Sequence, residues 1–82
     1  MIEVNVRFFG PVKDLAGTEG LTLELPPAAS GNVAFDSLAA RYPGLHRWRS
    51  SIRLAVNLQY VDFDHPLDNG DEVALIPPIS GG

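Results

Sequence analysis

The sequence predicts an α+β fold, a mixed sheet of about five strands with one main helix packed across it. Three observations carry that expectation. Residues 2–8, Ile-Glu-Val-Asn-Val-Arg-Phe, alternate apolar and polar side chains, the period of a strand with one buried face. Phe35, Leu38, Ala39 and Tyr42 recur at i, i+3, i+4 and i+7, the stripe of an amphipathic helix. Gly10-Pro11, Pro26-Pro27, Pro43-Gly44 and Asn69-Gly70 punctuate the chain between short patterned segments.

In the first strand Ile2, Val4, Val6 and Phe8 share the buried face, while Glu3, Asn5 and Arg7 point away. Phe9 then places an aromatic ring on the polar side. Val12 to Gly17 fit a short helical turn closed by glycine. Leu21 to Leu25 alternate again as a second strand, and its short link to the first leaves room only for antiparallel pairing. The main helix follows, with Ser30 or Asn32 to cap its start, Asp36 near the positive end of its dipole, and Pro43-Gly44 to stop it.

From Leu45 to Ser51 the chain reads as a loop pinned by Trp48, with the neighbouring arginines solvated. Ile52 to Val56 and Tyr60 to Phe63 read as strands around a turn near Asn57. Asp68-Asn69-Gly70-Asp71 is a dense turn signal, and Glu72 to Ile76 form the last strand. The order is β-β-α-β-β-β. A helical crossover of this length lets the last strand lie parallel to the first. That arrangement is the β-grasp, or ubiquitin-like, architecture, with residues 1–76 as its body and residues 77–82 as an extended tail.

Composition narrows the chemistry. With 82 residues and 45% apolar content the chain forms a single globular domain. No apolar stretch approaches the roughly 20 residues that cross a bilayer. Met1-Ile2-Glu3-Val4 lacks the pattern of a signal peptide, so a cytoplasmic location is expected. There is no cysteine, which excludes disulfides, thiolate metal sites and a thiol nucleophile. His46 and His65 have no partners at metal-ligand spacing, so no metal is expected. A net charge of −4 argues against general nucleic-acid binding. Asp62, Asp64, Asp68, Asp71 and Glu72 crowd the last third, a distribution that suits a basic partner protein or a plain solvated surface.

The final residues, Ala-Leu-Ile-Pro-Pro-Ile-Ser-Gly-Gly, carry what reactive potential remains. If Val73 and Leu75 face the core, Ala74 and Ile76 face outward. Pro77 and Pro78 donate no hydrogen bond to a ladder, so the strand ends there and the chain leaves along an extended path. Residues 77–82 span roughly 20 Å when extended. Ser80, Gly81 and Gly82 are slim enough to enter a narrow tunnel. Ordinary fraying also produces small terminal residues. With no thiol and no paired histidine, the α-carboxylate of Gly82 is the candidate reactive group. An ionised carboxylate is a poor acyl donor and needs activation by another enzyme, for example as an acyl-adenylate. The chain is therefore expected to have no catalytic site of its own.

Val6-Arg7-Phe8-Phe9-Gly10, Val12 to Gly17, Leu38 to Gly44, Ala55-Val56-Asn57 and above all Asp64 to Gly82 carry a family resemblance. Nearly end to end, the sequence resembles the small subunits of molybdopterin synthase, which are ubiquitin-like sulfur carriers. The resemblance implies that Gly82 is adenylated by a ubiquitin-activating-like adenylyltransferase that uses ATP, then converted to a thiocarboxylate. The tail would enter the large catalytic subunit in a heterotetramer. That subunit transfers sulfur to cyclic pyranopterin monophosphate in molybdopterin (molybdenum cofactor) biosynthesis. No cofactor would be bound by this chain itself. Gly81 would give clearance beside Gly82, while Phe9, Tyr60 and Ile76 would form an apolar contact face, continued by Pro77, Pro78, Ile79 and Ser80. Packing of the three apolar side chains under a loop is the plainer alternative. In one respect the chain departs from the pattern it resembles: the main helix opens Ser30-Gly31-Asn32-Val33 where members of that family usually have a threonine-valine pair.

Other functions share these features. Sulfur carriers for thiamine, tRNA thiolation or cysteine synthesis also end in paired glycines, but the thiamine carriers generally lack the Phe9 to Gly17 segment. A ubiquitin-type modifier ends the same way, although Lys13 is the only lysine here for chain building. A β-grasp binding module with an inert tail is the third possibility.

Overall fold

The structure is a computed structural model and describes residues 1–78. Strand β1 spans Ile2–Phe8, helix α1 Gly10–Ala16, β2 Gly20–Leu25, helix α2 Gly31–Arg41, a 3₁₀ helix Pro43–Trp48, β3 Arg53–Val56, β4 Gln59–Val61 and β5 Glu72–Ile76. The strands form one five-stranded sheet in the order β2-β1-β5-β3-β4. Only the central pair, β1 with β5, is parallel, with Val6 opposite Val73. The other pairs are antiparallel, with Val4 opposite Leu23, Leu54 opposite Leu75 and Leu54 opposite Val61. The β-β-α-β-β-β order and the parallel closure of last strand on first agree with the expectation.

One face of the sheet is the core face. Val4, Val6 and Phe8 from β1, Leu23 and Leu25 from β2, Leu54 and Val56 from β3, and Val73 and Leu75 from β5 pack against Ala34, Phe35, Leu38 and Ala39 of α2. Each large apolar side chain withdrawn in this way stabilises the fold by about 1.5–3 kcal/mol. Tyr42 follows the last turn of α2 and meets Phe8 edge-on, with ring centroids 6.0 Å apart. The period-2 pattern therefore divides the sheet cleanly, and everything on its outward side is available for other uses.

Several local expectations are corrected. Ser30 occupies the N-cap position of α2 but its side chain makes no capping bond, and Asn32 lies inside the helix. The first free amides are satisfied from elsewhere: Gly31 donates to the carbonyl of His65 at 3.1 Å and Asn32 to that of Phe63 at 2.7 Å. The segment after β4 thus caps the helix with backbone, which removes the need for a capping side chain. Such closeness requires glycine at position 31, where a Cβ would stand 2.9 Å from the Phe63 carbonyl oxygen. Asp36 lies beyond the first turn, so α2 has no acidic residue at its N-terminus.

Pro43-Gly44 ends α2 but starts the 3₁₀ helix, where a loop was expected. Proline suits a first helical position because its missing N–H would be unpaired there anyway. Leu45, fully buried, holds this turn against the core. Strand β3 begins one residue later than expected, and β4 stops at Val61, because the Asp62 carbonyl accepts the His65 amide in a turn and the Phe63 carbonyl accepts the Asn32 amide of α2. Arg49 is not simply solvated. Its guanidinium lies 3.7 Å from the Phe63 ring centroid and donates to Asn32 Oδ1 at 2.9 Å.

Candidate functional site

The outward face of the sheet is built by register. Tyr60, Ala55, Ala74 and Arg7 lie in one row across β4, β3, β5 and β1. Arg53 and Ile76 face each other in the next. Two alanines in the middle of the row leave a depression of about 220 Å³, walled by Phe9, Leu58, Tyr60 and Ile76, with Glu72 at one end. Phe9 is 41% exposed and Tyr60 64%, well above what their size predicts for core residues.

Local structure explains how each wall is placed. Phe9 caps α1 in an extended conformation, and its carbonyl accepts the amides of Val12 at 3.1 Å and Lys13 at 3.3 Å. That fixes its backbone while its ring stays outside. Tyr60 projects from β4 directly opposite Ala55, and the Arg53 guanidinium lies 5.0 Å from its ring centroid. Ile76 is the last residue of β5. The chain then passes through Pro77, half-buried, to Pro78, which is exposed. The last strand thus ends at Ile76, immediately before the two prolines. Ile79, Ser80, Gly81 and Gly82 lie outside the described residues.

Phe9, Tyr60 and Ile76, expected as one face, are brought together around the depression. Three of its members, Ala55, Leu58 and Glu72, were missed. Ala55 could have been found from the alternation of β3, since Leu54 and Val56 take the inward positions. Leu58 gives a weaker signal, an apolar residue in a two-residue turn. That turn has φ of +51° at Asn57 and +71° at Leu58. It is tied to β5 through Asn57, whose Oδ1 accepts the Glu72 amide at 3.0 Å and whose Nδ2 donates to Asp71 Oδ1 at 3.0 Å.

Electrostatics add direction. Arg7 and Arg53 flank the apolar centre, and among the described residues the only ion pair joins Lys13 to Glu19 at 3.3 Å. Among the described residues no cluster of three His, Asp or Glu side chains could hold a metal. Nor is any helix among them long and apolar enough to cross a membrane. Among the described residues the site offers an apolar surface at the end of β5.

A mixed sheet with parallel central strands, one helix across it and a last strand that runs into paired prolines defines a ubiquitin-like β-grasp protein. The chain belongs to the ThiS family, which matches residues 6–82. The molybdopterin synthase sulfur carrier subunit of Arabidopsis thaliana is 36% identical over 81 residues, covering 99% of this chain and 84% of that protein. The subunit of the same description from Escherichia coli K12 is 35% identical over 81 residues, covering 96% and 99%.

Solved structures agree. The putative molybdopterin converting factor, subunit 1, from Pyrococcus furiosus matches with a TM-score of 0.87 at 26% identity, over 96% of this chain and 100% of that one. A chain from the complex of subunits 1 and 2 of the Helicobacter pylori molybdopterin-converting factor matches with a TM-score of 0.71 at 30% identity, over 99% and 100%. The small archaeal modifier protein 1 of Methanosarcina acetivorans gives 0.83 at 26% identity, over 100% and 98%.

Proposed function

We propose that this chain is the sulfur carrier subunit of a molybdopterin synthase and acts in the cytoplasm. Gly82 receives an adenylate from an ATP-using, ubiquitin-activating-like enzyme, with release of pyrophosphate. A sulfur nucleophile then displaces AMP and leaves a C-terminal thiocarboxylate. The large catalytic subunit takes up the tail within a heterotetramer and passes the sulfur to cyclic pyranopterin monophosphate. Gly81 supplies clearance next to the reacting carbon, and Phe9, Tyr60 and Ile76, with Pro77, Pro78, Ile79 and Ser80, contact the partner.

The observation that carries this reading is continuity. The strand that presents Ala74 and Ile76 on the outward apolar face is the one that continues into Pro77 and Pro78. Docking the face therefore aims the tail. The likeness to sulfur carrier subunits over nearly the whole chain, and to a chain solved in complex with its second subunit, supports the same partner.

The test is mass spectrometry of the chain after incubation with the activating enzyme, ATP and a sulfur donor. One oxygen should be exchanged for sulfur, and the exchange should map to Gly82. Sulfur mapped to any other residue sinks the reading. The likeness to a small archaeal modifier favours one second reading, attachment of Gly82 to a protein lysine through an isopeptide bond. It predicts conjugates in place of thiocarboxylate.

A further inference from the structure

We propose that Leu58 is a specificity residue of the contact face, an apolar side chain held outside the fold for the partner to enclose. The inference rests on the reading above, in which the large subunit of molybdopterin synthase occupies this face.

Leu58 is 91% exposed. Its backbone has φ of +71°, in the left-handed region where a Cβ crowds the neighbouring carbonyl. A tight turn with positive φ at both central residues favours Asn-Gly, and a bulky residue at the second position is an outlier. The side chain therefore adds nothing to the core, and the backbone would be more comfortable with glycine. Neither property of this residue is explained by the stability of the free chain.

The surroundings point to an occupant. Leu58 stands on the wall of the depression shared by Phe9, Tyr60 and Ile76. The Asn57 side chain holds its turn to Glu72, the first residue of β5, and to Asp71 just before it, so the leucine is presented in a set direction. Arg7 and Arg53 flank the same face without an ion-pair partner among the described residues. The matching surface on the large subunit is accordingly apolar at its centre, with carboxylates opposite the two arginines. Leu58 extends that apolar centre past Tyr60, and a partner without a receiving hollow there is rejected.

Leu58→Gly and Phe9→Asp separate this inference from the reading beneath it. Each variant is compared with the parent chain in thermal unfolding and in calorimetric binding to the large subunit of the same organism. Leu58→Gly should melt at the same temperature or a few degrees higher, by no more than about 8 °C. Its Kd should weaken about tenfold. Unchanged binding overturns the inference, and so does a lower melting temperature, which assigns Leu58 to the fold. If Leu58→Gly binds normally while Phe9→Asp does not, Leu58 alone is wrongly assigned. If Phe9→Asp binds as tightly as the parent, the contact face falls and takes Leu58 with it.

Discussion

The ring of Pro77 lies beside Gly10, so that a Cβ on Gly10 would stand 3.3 Å from Pro77 Cγ. Gly10 also has φ of +54°, a conformation that L side chains rarely adopt. The two residues join the end of β5 to the start of α1, immediately next to Phe9. A methyl group at position 10 meets a strained backbone and a rigid ring together. Gly10→Ala is expected to lose about 1–2 kcal/mol of stability. Thermal unfolding checks this, and a loss under about 0.5 kcal/mol means that neither constraint holds.

Arg49 fastens the segment before β3 to the N-terminal turn of α2. Its guanidinium lies 3.7 Å from the Phe63 ring centroid and 5.6 Å from that of Phe35, with a hydrogen bond of 2.9 Å to Asn32. Cation–π contact and a charge-assisted hydrogen bond together set the expected cost of Arg49→Ala at about 1–2 kcal/mol. Arg47 is exposed, and Arg47→Ala should stay within about 0.5 kcal/mol of the parent. Urea unfolding of both variants is the measurement. Equal effects would mean that Arg49 is as solvated as its neighbour.

Phe9 separates binding from folding, because its ring lies outside the core while its backbone caps α1. Phe9→Asp should keep the parent's far-UV circular dichroism and melting temperature. Association with the large subunit should weaken by about 2 kcal/mol or more, roughly thirtyfold. Normal association removes Phe9 from the contact face.

Where short-range pattern decides the structure, the sequence was readable. The alternation of residues 2–8 and 72–76 gave β1 and β5 their bounds, and their parallel pairing followed from the helical crossover between them. Gly17 sits in the left-handed conformation expected at the end of α1, with φ of +72°. Long-range partners were harder to read. Nothing local in Ser30 or Asn32 reveals that the carbonyls of Phe63 and His65 do the capping, or that Arg49 stacks on a ring from another segment. The 3₁₀ helix is held by burial of Leu45, which follows from the packed fold and not from periodicity.

The site divides along the same line. Ile76 and Phe9 could be placed outward from strand period alone. Tyr60 joined them through family resemblance, and register then brought all three to one depression. Leu58 was missed because turn positions usually signal backbone demands, and here the side chain and the backbone disagree.

The parallel pairing of β1 with β5 also imposes an order of events. Residues 2–8 are made early by the ribosome, and their central neighbour, residues 72–76, is made more than sixty residues later. Until β5 arrives, β1 and β3 each have an open edge and the middle of the sheet is missing. Contacts so distant in sequence are slow to form and close the structure late. A nascent or truncated chain therefore has no finished sheet to display, and its apolar face does not yet exist. The outward row of Tyr60, Ala55, Ala74 and Arg7 thus exists only in a chain whose last strand has been made and docked.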